Sequence, residues 1–248
     1  MKDVLDYPLL FRVRKDTPSA VRAVMSNQYV VINNYDLLLS CLEAVKKEAD
    51  RNEMPIEGVK FDYEATDDYS DVRFYFVNDH IRFDDNYRGG IIVKNSECGE
   101  SAFNVQLILF NTSCHNILRT KLSFGMKHSA ERVFKYSDIT NRLQAEVVYR
   151  KAAEVTQVLF NQRRLKQYYD HLIKAKELPL ELDHAQVIMR RAFSQSRVEA
   201  ILDTWRSKED LSVYGLTQAI TYHAQEVDFI QREKEEEFAS RLVFSDVR

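Results

Sequence analysis

The sequence predicts an α+β fold, with an antiparallel sheet and flanking helices in the N-terminal half and an all-helical C-terminal half. Up to about residue 110 the hydrophobic residues recur mainly at every second position, whereas from about Ser137 they recur at helical spacing. Strands followed by a run of helices are typical of the α+β class. We expect a helix plus antiparallel sheet over residues 1–136 and a helical region over residues 137–248, packed on the first as one compact unit.

A helix is predicted over residues 34–51 in the N-terminal half. Asn33 or Asn34 can cap its first turn, because a short amide side chain accepts from free backbone N–H groups there. The hydrophobic positions of this helix lie at helical spacing and are Leu37, Leu38, Cys41, Leu42 and Val45. Pro55 and Gly58 follow the helix and indicate its end.

Strands are predicted after this helix. Residues 59–64 and 72–77 alternate between hydrophobic and polar side chains around a turn-like segment, which predicts an antiparallel hairpin with one buried face. Ile91 to Val93 predicts a third strand, and residues 102–110 predict a fourth, the most hydrophobic one. The part between them, Asn95 to Gly99, has the residue types of a turn, with glycine able to adopt a positive φ. A phosphate-binding loop is the alternative interpretation of that segment.

The C-terminal half is predicted to start with one long helix from about Ser137. Its hydrophobic positions are Val147, Val148, Val155, Val158, Leu159, Leu165 and Leu172. Pro179 interrupts this pattern, and further helices are predicted over about 195–207 and 214–240, or over pieces of these ranges. The acidic run from Glu233 to Glu237 is interpreted as a solvated helix face.

The composition favours a folded intracellular protein. With 248 residues, 45% hydrophobic residues, 14 Phe and 13 Tyr, the chain can bury a core. The sequence has no hydrophobic run near the roughly 18 residues of a membrane-spanning helix, and its start lacks the hydrophobic segment of a signal peptide. Its three cysteines form no C-x-x-C pair, which is typical of reduced thiols. We therefore expect a cytoplasmic location.

The net charge of −3 hides an uneven distribution. Residues 114–176 carry 13 Lys and Arg against 5 Asp and Glu, a balance of +8, whereas residues 1–113 and 177–248 are both acidic. A basic segment of this kind is typical of polyanion binding when its charges share one face. The alternative is a solvated surface whose charges pair with the acidic flanks.

The basic residues of this segment are interleaved with aromatic ones, a combination that suits single-stranded nucleic acid because cations neutralise phosphates and rings stack on unpaired bases. The candidate binding residues are Arg119, Lys121, Lys127, Arg132, Arg150, Arg163, Arg164 and Lys166. The aromatic neighbours considered with them are Phe124, Phe134, Tyr136, Tyr168 and Tyr169. Hydrophobic packing is the alternative role for these rings.

We propose no residue of the sequence for catalysis, for cofactor binding or for metal binding. The thiol and imidazole side chains that could be combined into a zinc site are Cys98, Cys114, His115 and His128, but their spacing matches no standard zinc motif. Two acidic clusters, Asp67-Asp68-Asp71 and Asp79-Asp84-Asp85, could hold Mg²⁺, yet turns favour Asp without a metal. We expect a protein that is not an enzyme, with a metal-dependent nuclease as a further alternative.

Four dispersed motifs remain. They are Ser26–Leu38, Asn95–Ala102, Cys114–Asn116, and Thr204-Trp205 together with Tyr214–Ala224. For Trp205 and His223 in the last motif we expect buried packing roles. In order and spacing the four motifs resemble the phage- and plasmid-encoded family called domain of unknown function 932. The resemblance covers about residues 20 to 230 and implies a genetic setting but no activity.

The expected function combines this setting with the basic segment. A helix, an antiparallel sheet and a basic helical region are also similar in layout to phage single-strand annealing proteins. We therefore expect a phage- or plasmid-encoded protein of mobile elements, located in the host cytoplasm, that binds single-stranded DNA in replication or recombination, with a homo-oligomer as one form. The alternative is a protein-interaction factor, either an inhibitor of host defence or a transcription accessory, with a host or phage protein as partner.

Overall fold

A computed structural model describes residues 9–13, 21–26, 29–66, 70–99, 101–126, 138–157 and 162–244 of the chain. The strands are β1 (Leu9–Val13), β2 (Val21–Ser26), β3 (Val59–Ala65), β4 (Asp71–Arg82), β5 (Tyr87–Ser96), β6 (Phe103–Asn111) and β7 (Ile117–Met126). The helices are α1 (Asn34–Arg51), α2 (Asp138–Thr156), α3 (Gln162–Lys176), α4 (Leu182–Met189), α5 (Gln195–Ser207), α6 (Val213–Ala224) and α7 (Phe229–Phe244).

The predicted α+β class is confirmed. Strands β3 to β7 form an antiparallel five-stranded sheet in sequence order, and the helices α2 to α7 follow it along the chain. The hairpin of β1 and β2 lies before α1 and was missed by the sequence analysis. In β1 the residues Leu9, Leu10 and Phe11 are consecutive hydrophobic residues, so the strand shows no alternation with polar ones. None of the helices in the described part of the chain is long and apolar enough to cross a membrane.

Helix α1 has the bounds that its pattern predicts. The side chain of Asn33 accepts from the backbone N–H groups of Tyr35 (2.9 Å) and Asp36 (3.3 Å), so it is the N-cap. The long helix predicted from about Ser137 is two helices in the structure, α2 and α3. The hydrophobic residues continue at helical spacing across both segments, so the sequence pattern does not show this division.

The central strands of the five-stranded sheet, β4 to β6, are buried on both faces. The first face, which includes Phe76, Ile91 and Leu109, packs against hydrophobic residues of α1, α2 and α3. The second face carries Tyr75, Ile92, Ile108 and Ile117 in a smaller cluster. The prediction of a single buried face for the hairpin was therefore wrong for β4, in which residues 71–78 are all buried.

Helix α7 covers part of the second face through polar contacts. The backbone N–H of Arg119 in β7 donates to the hydroxyl of Ser240 at 2.8 Å. The side chain of Arg73 in β4 donates to Glu236 at 3.1 Å. The central part of the sheet thus lies between hydrophobic helices on one side and the acidic helix α7 on the other.

A second hydrophobic core lies within the C-terminal helices. Its buried members come from α4 to α7 and include Met189, Ile201, Trp205 and Leu216. Trp205 is only 1% exposed, in agreement with the predicted packing role. The cluster is separate from the main core beneath the sheet, so α4 to α7 have a hydrophobic centre of their own.

Candidate nucleic-acid interface

Helix α3 brings three of the predicted binding residues together. Arg163, Arg164 and Lys166 are all exposed, whereas Leu165 and Leu172 on the opposite side of the helix are buried. Their exposure follows from the helical spacing, because residues next to a buried position turn away from the core. The Lys166 ammonium lies 3.0 Å from Asp170, an exposed i,i+4 pair that contributes little stability.

Arg150 is exposed on a different helix. Its guanidinium lies 3.0 Å from the carboxylate of Glu146, one turn earlier in α2. Both side chains are more than half exposed, so the pair is accessible to a phosphate that competes with the carboxylate. Arg150 is therefore a separate basic position and does not belong to the group of Arg163, Arg164 and Lys166 on α3.

Arg119 is buried and does not support the prediction that it binds nucleic acid. One terminal nitrogen of its guanidinium lies 3.2 Å from Glu233, and the other lies 2.9 Å from Glu236. Burial acts to lower the pKa of Arg119, but the two carboxylates outweigh it and raise that pKa. This charge is neutralised inside the protein, as the alternative of pairing with the acidic flank predicted.

The other predicted binding residues cannot be placed in an interface. Lys121 belongs to β7, but its side chain is outside the described part of the chain. Lys127 and Arg132 lie outside the described residues. The same holds for the aromatic candidates Phe134 and Tyr136.

The described aromatic candidates are packed and not available for stacking on bases. The ring of Tyr168 is buried edge-to-face against Phe244 at 5.2 Å. The ring of Tyr169 stacks on Phe83 at 5.1 Å, and its hydroxyl donates to Asp84 at 2.7 Å. Phe124 is half-buried, and its ring lies 6.1 Å from a core phenylalanine. Hydrophobic packing, the alternative interpretation, therefore describes all three rings.

Two exposed aromatic side chains were missed by the sequence analysis. Phe61 is 42% exposed and Tyr63 is 52% exposed on β3, and their rings are stacked with centroids 6.5 Å apart. Their alternation with polar residues predicted a buried face. They are exposed because β3 is at the edge of the sheet, and the sequence contains no signal for the order of the strands.

The acidic run of α7 is not the solvated face that the sequence suggested. Glu235 and Glu236 are 1% and 2% exposed, and each accepts from arginine side chains. The Lys94 ammonium in β5 lies 2.5 Å from Glu233. Burial acts to raise the pKa of Glu233, but Arg119 and Lys94 outweigh it and lower that pKa. The run therefore serves to dock α7 on the basic second face of the sheet.

The first two of the dispersed motifs meet in space. The side-chain amide of Asn95 donates to the carbonyl of Ile32 at 2.9 Å and to the side chain of Asn34 at 2.7 Å. The Asn34 backbone N–H in turn donates to Glu97 at 2.8 Å, and the Tyr29 hydroxyl donates to the carbonyl of Ser96 at 2.8 Å. These residues join the start of α1 to the end of β5, which is a structural role.

The third and fourth motifs also meet. The side-chain oxygen of Gln218 in α6 accepts from the amide of Asn116 at 2.9 Å, and its nitrogen donates to the hydroxyl of Tyr87 at 3.2 Å. Gln225 donates to Asn116 at 2.7 Å and to the carbonyl of Cys114 at 2.8 Å. The turn between β6 and β7 is thereby fixed to α6.

His223 connects the last motif internally. Its ring nitrogens lie 2.8 Å from the hydroxyl of Thr204 and 3.0 Å from the carboxylate of Glu226. The residue is 9% exposed, and its backbone carbonyl accepts from Arg197 at 2.5 Å. These bonds hold α5 against the C-terminal end of α6, in agreement with the packing role expected from the sequence.

The segment between β5 and β6 is a turn, as the sequence favoured. Gly99 has φ = +80°, and a Cβ there would lie 3.0 Å from the ring of Tyr29. Asn95 and Ser96 are fully buried, so their side chains are not presented to a phosphate in solvent. The alternative of a phosphate-binding loop has no support from these two residues.

Gly99→Ala is expected to lower the free energy of unfolding by about 1–2 kcal/mol, because a Cβ penalises a positive φ. Urea denaturation followed by circular dichroism measures the change. Gly99→Asn is the matched variant, since Asn tolerates this backbone conformation better than Ala while placing a Cβ at the same point beside Tyr29. Equal losses for both variants would show that contact with Tyr29, and not the φ angle, determines the effect.

Among the described residues, no group of three or more His, Cys, Asp or Glu side chains could hold a metal ion. Cys98 precedes β6 and Cys114 follows it, so the nine-residue strand separates them by about 30 Å. Asp84 accepts from the backbone N–H groups of Asn86 (2.8 Å) and Tyr87 (2.7 Å), which is a turn role. Burial acts to raise the pKa of Asp84, but hydrogen bonds led by that from Tyr169 lower it.

Comparison of the chain with protein-family models, with curated proteins and with solved structures gave no match. The resemblance to domain-of-unknown-function family 932 therefore stays a prediction.

Proposed function

We propose that the protein binds nucleic acid without catalysing a reaction, and that it contacts phosphates through the exposed face of α3. The observation that carries this proposal is the charge of that helix, which has five basic residues and one acidic residue, Asp170, in 15 positions. Arg163, Lys166 and Lys174 lie on its outward side and are exposed. Arg164 is exposed at the flank of that side, next to Arg163, and we count it in the same face. A basic helix face of this kind attracts phosphate backbones because binding releases their counterions.

Single-stranded DNA is the proposed ligand, in replication or recombination of a phage or plasmid. The aromatic rings of α3 do not support a preference for single strands, because Tyr168 is buried against Phe244 and the ring of Tyr169 is already stacked on Phe83. The proposal accordingly relies on phosphate contacts, and base contacts would have to come from other rings. Such binding tolerates many sequences and depends strongly on salt.

The double variant Arg163→Ala with Arg164→Ala tests this proposal. Removing two phosphate contacts is expected to reduce the slope of log K against log salt by about 1.4, roughly 0.7 per contact on a single strand. Fluorescence anisotropy with labelled single- and double-stranded DNA over a salt series measures the slope. Both side chains are exposed, so the melting temperature should stay near that of the wild type.

A matched control is available in the same half of the chain. Arg190 and Arg191 are also adjacent and exposed, but they follow α4 and lie outside the proposed face. The variant Arg190→Ala with Arg191→Ala should keep the wild-type slope. The proposal is wrong if the wild type binds no DNA at low salt, or if both double variants weaken binding equally.

A protein-interaction factor is the second candidate, and an exposed hydrophobic face on α2 favours it. Ile139, Leu143 and Val147 repeat at every fourth position and are 72%, 61% and 46% exposed. Hydrophobic side chains grouped on one helix face often mark a contact with another protein. Absence of DNA binding in the salt series would make this candidate, as a host-defence inhibitor or transcription accessory, the leading one.

A further inference from the structure

The edge strand β3 carries a surface suited to pairing with another strand. β3 is the first strand of the five-stranded sheet and pairs only with β4 among the described residues. Residues 60–63 in its middle are all exposed. An exposed edge offers unpaired backbone N–H and C=O groups, so it is a template for pairing with another strand.

The backbone groups that β3 presents at this edge can be assigned. The N–H of Tyr63 donates to the carboxylate of its neighbour Asp62 at 2.8 Å, so it points away from β4. In an antiparallel strand the direction of these groups alternates from one residue to the next. The N–H and C=O groups of Phe61 and Val59 therefore also point to the free edge.

We propose that β3 pairs antiparallel with β3 of a second copy of this chain, joining the two sheets across a two-fold axis at Phe61. In this register Phe61 lies opposite the second copy's Phe61 as a hydrogen-bonded pair. Lys60 lies opposite the second copy's Asp62, and the reverse pair occurs across the axis. Val59 likewise lies opposite the second copy's Tyr63. The exposed aromatic pair of each chain becomes covered by that of the other.

Charge complementarity selects this register. Opposite residues must lie on the same face of the joined sheet, so the axis has to pass through a residue and not between two. An axis at Asp62 would place two Asp62 carboxylates opposite each other, and an axis at Tyr63 would place Asp62 opposite Glu64. Like charges that face each other across strands destabilise the pair, whereas opposite charges stabilise it. An axis at Asp62 would also bring Lys60 to Glu64, but it keeps the pair of Asp62 carboxylates. Of these three registers, only the axis at Phe61 pairs opposite charges without any like-charge pair.

The dimer is expected to be weak and concentration-dependent. About five residues of each strand take part, which gives an interface at the small end of specific contacts. Lys60 is paired with Asp79 at 2.8 Å within the chain, but its side chain is 67% exposed and can turn to the second copy. The Asp62 carboxylate likewise has to release the Tyr63 N–H, which then bonds across the interface.

Variants that reverse the charge at position 60 or at position 62 test the proposal. Lys60→Asp places only carboxylates at positions 60 and 62, and Asp62→Lys places only ammonium groups there. Two opposite-charge pairs become like-charge pairs in each homodimer, so each variant should dimerise about tenfold more weakly than the wild type. Sedimentation equilibrium over a concentration series measures the dissociation constants.

A mixture of the two variants distinguishes repulsion from misfolding. A heterodimer of Lys60→Asp and Asp62→Lys has opposite charges at both pairs, so it should form with an affinity near that of the wild type. Sedimentation with one variant fluorescently labelled detects this complex. Asp79→Asn is the control, since it removes the intramolecular partner of Lys60 and should not weaken the dimer. A monomeric wild type at millimolar concentration, or a mixture no tighter than the single variants, would overturn the proposal.

Discussion

Glu236→Gln is expected to lower the free energy of unfolding by about 3–5 kcal/mol, since it removes a negative charge that two buried arginines share. One carboxylate oxygen of Glu236 lies 3.1 Å from the guanidinium of Arg73 and 2.9 Å from that of Arg119. Both guanidinium groups are almost completely buried, and their Nε atoms have no hydrogen-bond partner. A neutral amide leaves these two charges with less compensation in a region that water does not reach. Urea denaturation at neutral pH measures the loss.

Glu237→Gln is the matched control for this prediction. Glu237 is the next residue in α7 but is exposed, so the same change in charge should alter stability by less than about 0.5 kcal/mol. Similar effects of the two variants would mean that the net charge of α7, and not the buried ion pairs, determines stability. In that case the role assigned here to the acidic run in docking α7 is wrong.

Trp205→Ala is expected to destabilise the protein by about 3–5 kcal/mol, because it leaves a large cavity in the core of α4 to α7. The indole is 1% exposed and packs among the buried residues of four helices. Its Nε1 atom has no hydrogen-bond partner, so the contribution of the side chain is hydrophobic. Thermal and urea denaturation measure the effect.

Trp205→Phe distinguishes a packing role of Trp205 from a role in DNA binding. The smaller aromatic ring keeps part of the buried surface, so its loss of stability should be clearly smaller than that of Trp205→Ala. Both variants should retain the salt-dependent affinity for DNA as long as they are folded. If Trp205→Ala melts like the wild type but loses binding, then Trp205 is a functional residue and the packing role is wrong.

The candidate site was predictable only where the chain is helical. Helical spacing with Leu165 and Leu172 inside predicts that Arg163 and Lys166 face solvent, and the structure places them there. Arg119 lies in β7, a strand that the sequence analysis did not predict. The sequence also cannot show that another element covers this side chain. Its partner Glu236 is 117 residues away in the chain, and no local pattern links the two.

The sequence by itself determined the bounds of α1, the hairpin of β3 and β4, and the α+β class. These features depend on caps, turns and spacing within a few residues, which the sequence displays directly. Only the tertiary structure decided that an acidic helix covers the second face of the sheet, that the dispersed motifs meet in pairs, and that β3 is an edge. Those outcomes depend on contacts between distant segments, such as the pair of Arg73 and Glu236. Buried opposite charges stabilise each other only after the chain has brought them together, so neither residue shows its partner in the sequence.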